Sequence, residues 1–198
     1  MPIVSSHWSR CLVLLLTVVS AAVLPGCARK SPDQLLAEAR DYADQADYRT
    51  ASIQLRTLLK REPDNLEGVL MLAEVALKGN NPALAERNYR RADELGADPG
   101  RTWDGRMESL LQLGRYDDVL AQANTPSGLR TFTRPADTAR QALLRGRAQI
   151  GLQKFTEAEA TLRGSLRAAP SAEAHLELGR LLAATSRQAA ADEQLKAA

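Results

Sequence analysis

PDQLLAEARDYADQADYRTASIQLRTLLKREPDN, residues 32–65, is the stretch whose reading decides the fold. Counted from Pro32, Leu35, Ala39 and Tyr42 stand at positions 4, 8 and 11, Ala51, Leu55 and Leu58 at 20, 24 and 27, and Pro63 at 32. Steps of three and four residues follow one face of a helix. The spacing then returns. A unit from Leu66 places Val69, Leu72, Ala73, Ala76, Ala85, Tyr89 and Ala92, and one from Gly100 places Trp103, Met107, Leu110, Gly114, Tyr116 and Val119. A fourth, from Ala139, gives Ala142, Gly146, Phe155, Ala158, Leu162 and Pro170, and a fifth, from Ala172, gives Leu178, Gly179, Leu182, Ala191, Leu195 and Ala198. The starts lie 34, 34, 39 and 33 residues apart. Self-similarity at that period marks a repeat array.

Composition agrees. Aromatics make up only 4% of the chain, and the helix formers Ala, Leu, Arg, Glu and Gln dominate. Alternating Val, Ile and Thr are scarce after residue 30, so strands have little support. The expectation is an all-α helical solenoid of about five helix-turn-helix units over residues 32–198. Its pattern resembles the tetratricopeptide repeat: large, small and aromatic residues on a helix A, then Ala, large, small and Pro on a helix B. Small residues such as Ala39, Ala51, Gly146 and Ala158 let two helices approach. One pair cannot bury its apolar face alone, but a stack can. Ser31-Pro32-Asp33-Gln34 and Asp64-Asn65-Leu66-Glu67 read as capping boxes, and Asn81-Pro82 and Asp98-Pro99 each as an N-cap followed by Pro. Glu74 with Lys78 and Glu86 with Arg90 read as i,i+4 pairs on solvated faces.

Two places break the regularity. Residues 124–135, NTPSGLRTFTRP, hold turn formers and no helical stripe, so they read as an irregular loop. A tolerated insertion explains them better than a binding loop. The fifth unit reaches only position 27 at Ala198 and has no polar capping helix. Arrays usually need one. The reading is a piece of a longer array, or an array whose last face a partner covers.

Ahead of the repeats, Cys11 to Leu24 run fourteen residues without a charge and end in Leu24-Pro25-Gly26-Cys27. A bilayer core needs roughly 20 apolar residues of helix. The run suits a signal-peptide core better than a membrane span. The last four residues resemble the bacterial lipobox, with Pro25 in a place where Ala, Ser or Thr is usual. This divides the chain into a signal peptide (1–26), a short lipid-anchored tether (27–31) and the array, with Cys27 the lipidated residue. Cys11 leaves with the signal, so lipidation of Cys27 spares an oxidising compartment a lone free thiol. Three acyl chains, which the resemblance implies, give stable anchoring at ~0.8 kcal/mol per buried CH₂. Ala28, in place of Asp, implies by the same resemblance the outer membrane, on its periplasmic face. Two other outcomes are open: cleavage after Ala22, giving a soluble periplasmic protein, and an uncleaved anchor in the inner membrane.

The charge balance is near neutral, with 26 basic and 24 acidic residues. It makes no case for nucleic acid. Residues 27–198 contain one His, His175, no second Cys, and no HExxH, GxSxG or GxxxxGK. The expectation is a non-catalytic chain with no cofactor, no metal ligand and no small-molecule substrate. His175 reads as a packed or exposed residue of helix A.

In tetratricopeptide proteins the concave groove is lined mainly by helix A positions 2, 5, 9, 12 and 13. By that resemblance, position 9 supplies Arg40, Glu74, Glu108, Arg147 and Arg180 to a partner-binding groove. Position 2 supplies Asp33, Glu67, Arg101, Arg140 and Glu173. Position 5 supplies Leu36, Leu70, Asp104, Leu143 and Leu176. An acidic second unit and a basic fourth unit would polarise the groove and steer a partner of opposite polarity. A charged but idle solvated face is an equal reading. No Trp or Tyr stands at these positions, which disfavours a carbohydrate-binding module.

The opening unit, then AERNYRRADELGADP (residues 85–99) and LLQLGRYDDVL (110–120), are similar to the large repeat lipoproteins of the PEP-CTERM protein-sorting and exopolysaccharide system. That likeness implies a scaffold for exosortase-linked envelope proteins or for polysaccharide export. The alternative is a pilotin or assembly lipoprotein escorting a secretin, pilus or outer-membrane subunit. In either case the partners are other envelope proteins, held through the groove, and the membrane, held through the lipid.

Overall fold

Each unit is a pair of antiparallel helices whose turn is fixed by one backbone device. The computed structural model describes residues 30–123 and 134–198. The signal segment, Cys27 and most of the 124–135 loop lie outside the described residues. The helices are α1 (Pro32–Asp44), α2 (Tyr48–Leu59), α3 (Leu66–Lys78), α4 (Pro82–Glu94), α5 (Pro99–Gln112), α6 (Tyr116–Ala123), α7 (Pro135–Gly151), α8 (Phe155–Ala168), α9 (Ala172–Ala184) and α10 (Gln188–Ala197). Among the described residues there is no strand. The odd-numbered helices are the A helices and the even-numbered ones the B helices.

Every A-to-B turn puts repeat position 15 in the left-handed region: Ala46, Asn80, Gly114, Gln153 and Ser186 have φ of 59°, 57°, 70°, 60° and 61°. The next amide then reaches back five residues, as in Asp47 N to Tyr42 O at 2.9 Å and Lys154 N to Gln149 O at 2.9 Å. This capping geometry satisfies the last carbonyls of helix A and reverses the chain. An L residue there costs roughly 1–2 kcal/mol, yet Ala, Gln and Ser are held in it by the turn. Asn81 and Asp98 cap their helices as the sequence suggests, and in α3 the cap is Asn65 rather than Asp64. Asp47, Asn65, Asn81, Asp98 and Ser171 each accept a hydrogen bond from a backbone amide of the first turn of their helix. In α7 the helix begins at Pro135, one turn ahead of the Ala139 from which the repeat is counted. Pro at the first helical position and Asp137 in the first turn favour that early start.

The interior follows the repeat. Ala39, Ala51 and Leu55 are completely buried in the first unit, and Ala158 and Leu162 in the fourth. A fully buried Leu contributes about 2 kcal/mol. A Cβ on Gly146 would stand 2.7 Å from Leu162, and one on Gly179 2.9 Å from Leu195, so these pairs approach as closely as the residue allows. The third unit departs from this. It carries Met107 and Val119 where the others carry Ala or Gly, its α6 is eight residues long, and α6 packs chiefly on α7. One apolar cluster runs through α1–α4, a second joins α5, α6 and α7, and a third fills α7–α10.

The seam between the first two clusters is partly polar. Asp93 on α4 accepts from Thr102 Oγ1 at 2.5 Å and from Arg106 at 2.9 Å. Beside it, the ring of Tyr89 lies directly against Gly105, leaving no room for a Cβ.

Candidate partner-binding face

The A helices line up side by side, α3 against α5, α5 against α7 and α7 against α9. Residues at one repeat position therefore meet their counterparts in the next unit. Arg101 donates to Glu67 at 2.8 Å, and both hold position 2, in α5 and α3. Arg140 donates to Glu173 at 2.6 Å, again position 2 to position 2, between α7 and α9. Arg147 reaches Glu108 through two nitrogens at 2.7 and 3.2 Å, position 9 to position 9, across the irregular 39-residue interval. The register of the repeat thus survives the long connection.

Secondary contacts knit these pairs into two networks. Glu67 also faces Arg40 at 4.0 Å, linking α1, α3 and α5. Arg140 lies 3.9 Å from Asp104 and 3.8 Å from Glu108, and Arg147 lies 3.6 Å from Glu173 and 3.9 Å from Glu177. Arg180 closes the chain on Glu177 at 3.7 Å. The second network therefore sets Arg140, Arg147 and Arg180 among Asp104, Glu108, Glu173 and Glu177. Loss of water around Asp104 pushes its carboxyl up; Arg140 opposes this, and the carboxylates of Asp137, Glu108 and Glu173 add to it. Of the remaining candidates, Asp33 and Glu74 are exposed and make no ion pair among the described residues.

This arrangement corrects three sequence expectations. The fourth unit does not present a basic surface, because carboxylates of its neighbours enclose Arg140 and Arg147. Leu70 and Leu143 at position 5 do not line a groove: they are 1% and 2% exposed, drawn inward by the apolar clusters. Glu86 faces Arg90 at 3.8 Å, but its side chain is only 8% exposed, so this pair is not on a solvated face. Sequence reasoning also passed over Glu177, which couples Arg147 to Arg180. Its signal was present, three residues before Arg180 on the same helix. Behind the face, burial pushes the Tyr89 hydroxyl well up, and the carboxylates of Glu74 and Asp104 add to it.

His175 is half-buried, and its Nδ1 lies 2.9 Å from Gln194 Oε1, a packing contact between α9 and α10. Among the described residues, no group of three His, Cys, Asp or Glu could hold a metal. None of the described helices is long and apolar enough to cross a membrane.

Stacked helix pairs with a charged A-helix face define a repeat scaffold of the kind that binds other proteins. The tetratricopeptide repeat profile matches residues 36–101 and 143–198, and the chain belongs to that family. Solved structures agree on the fold. PilW, a widely conserved type IV pilus biogenesis factor, superposes with a TM-score of 0.69 at 25% identity, over 86% of this chain and 77% of its own. PilF of Pseudomonas aeruginosa gives 0.62 at 20% identity, over 84% and 74%. MamA from Desulfovibrio magneticus RS-1 gives 0.69 at 14%, over 83% and 91%. No curated protein matches the chain.

Proposed function

We propose that this chain is a non-catalytic, lipid-anchored scaffold on the periplasmic face of the outer membrane, holding envelope proteins on its A-helix face. The observation that carries the reading is the pair of ion-pair networks that tie five A helices into one preordered surface. Preorganisation lowers the entropy a partner must lose on docking. The exposed Asp33 and Glu74, with Arg40 held only at 4.0 Å, leave charge to offer at the first two units. The lipobox-like Leu24 to Cys27 supports the anchor. The likeness of residues 32–65, 85–99 and 110–120 to PEP-CTERM repeat lipoproteins supports a place in exopolysaccharide export or envelope protein sorting. A second reading has its own support: the likeness to PilW favours an escort for a pilus or secretin subunit.

Cell fractionation tests the anchor. Cys27→Ala should move the protein from the membrane to the soluble periplasmic fraction, and persistent membrane association would overturn that part. Crosslinking in the native cell, with the captured protein identified by mass spectrometry, separates the two readings. A pilus or secretin subunit would favour the escort, and an export or sorting component the scaffold.

A further inference from the structure

The opposite side of the first two units carries charge of another kind. Helix α2 contains Arg49 and Arg56 and no acid, and Lys60 follows it. Helix α4 turns Arg87 and Arg91 toward it across a groove of about 410 Å³. The floor is apolar: Leu59 from α2, Leu72 from α3 and Leu84 from α4. Leu72 and Leu84 are nearly closed to solvent from within the array, so the groove is a shallow trough over a formed core. Asn88, also on the floor, commits its side-chain amide to Leu84 O at 2.7 Å.

Three of the four rim cations lack a counter-charge among the described residues. Arg91 is held by Pro63 O at 2.7 Å and by Asp64 at 3.3 Å. Arg56, Lys60 and Arg87 make no side-chain hydrogen bond or ion pair among the described residues. The carboxylates nearby are engaged or to one side: Glu86 faces Arg90, Glu62 accepts from Asn65, and Glu94 lines the adjoining hollow with Arg87, Arg90 and Arg91. Three like charges around an apolar strip repel one another and are relieved by an anionic occupant.

We propose that the trough between α2 and α4 docks an acidic protein segment. Its carboxylates would pair with Arg56 and Lys60 on one wall and Arg87 on the other, while an apolar side chain seats on Leu59, Leu72 and Leu84. The shape selects this occupant. The cations stand on two facing walls above a recessed apolar floor, which suits a single chain with alternating acidic and apolar groups. A flat bilayer surface would reach the rim and leave the floor empty. This surface is distinct from the A-helix face, so one array can hold two proteins.

The test uses the full chain in a detergent with a neutral headgroup and a fluorescein-labelled peptide of repeated Glu-Glu-Leu triplets, followed by anisotropy. Binding is expected to weaken at least tenfold in the Arg56→Glu, Arg87→Glu double variant and by a smaller factor in Arg56→Gln, Arg87→Gln. A Lys-Lys-Leu peptide should not bind, and Arg167→Gln on α8, an exposed residue of neither surface, should leave the acidic peptide's affinity unchanged. Circular dichroism melting confirms that the variants fold. Equal affinity for the double variant, or no binding of the acidic peptide at millimolar concentration, overturns the proposal. So does charge-dependent binding of phosphatidylglycerol vesicles that the double variant loses while the peptide is unaffected, because that result assigns the cations to a lipid surface.

Discussion

Two surfaces of this array are built from the same residue types and do different things. On the A-helix face, Arg101, Arg140 and Arg147 are each bound to a carboxylate of a neighbouring unit. In the α2–α4 trough, Arg56, Lys60 and Arg87 are bound to none among the described residues. The first surface spends its charge on holding units in register. The second keeps its charge for something else. A count of cations would rate the two alike; their pairing separates them.

The sharpest way to break the comparison is to remove the support of the A-helix face. Gly105→Ala drives a Cβ into the buried Tyr89 ring. Overpacking of this kind costs about 1–3 kcal/mol or more, and the gain in helix propensity offsets about 1. A net loss near 2 kcal/mol is expected in chemical unfolding, and an unchanged midpoint would show that the seam repacks freely. Next comes Glu108→Ala, which removes both hydrogen bonds of Arg147, its side chain 25% exposed, and leaves it only the longer contacts to Glu173 at 3.6 Å and Glu177 at 3.9 Å. Loss of a charged, partly desolvated hydrogen bond should cost roughly 1.5 kcal/mol. The exposed Arg101–Glu67 pair should show a coupling of only about 0.5 kcal/mol in a double-mutant cycle. A coupling as large as that at Glu108 would mean that exposure does not grade the network.

A pair outside both surfaces calibrates them. Arg187, through a 2.6 Å hydrogen bond, holds the Glu159 carboxyl below the usual carboxylate range, and Arg163 adds to this. A depressed carboxylate stabilises the fold above its ordinary pKa, and that contribution is lost as pH falls through the folded value. Glu159→Gln should therefore cost about 0.5 kcal/mol at neutral pH, and the difference should shrink as pH falls below the ordinary carboxylate range, read as melting temperature against pH. The smallest effect belongs to the trough. Arg56→Gln and Arg87→Gln should each change stability by less than about 0.5 kcal/mol. A clear destabilisation would show that these cations have a structural partner after all.

The array was legible because each unit repeats one local problem. Position 15 lay outside that legibility. Ala46, Asn80, Gly114, Gln153 and Ser186 share no side-chain chemistry, yet all adopt the same left-handed turn at the same count. The ten candidate face residues were legible as positions, but which of them pair with one another was not. Position 9 runs Arg40, Glu74, Glu108, Arg147, Arg180, which suggests polarity when each unit is read alone. Stacking turns the opposite signs of Glu108 and Arg147 into a bond, and leaves Glu74 without a hydrogen bond or ion pair among the described residues.

The sequence by itself determined the helical class, several of the caps, the repeat length and the A or B membership of the repeat positions. These follow from contacts within about one turn and from a period the chain prints several times over. Only the tertiary structure decided which charges are consumed and which remain. Pairing across units depends on the lateral registry of helices 33 to 39 residues apart. A few ångströms there separate a bound carboxylate from a free one, and that registry belongs to the packing between units, as where Tyr89 lies against Gly105.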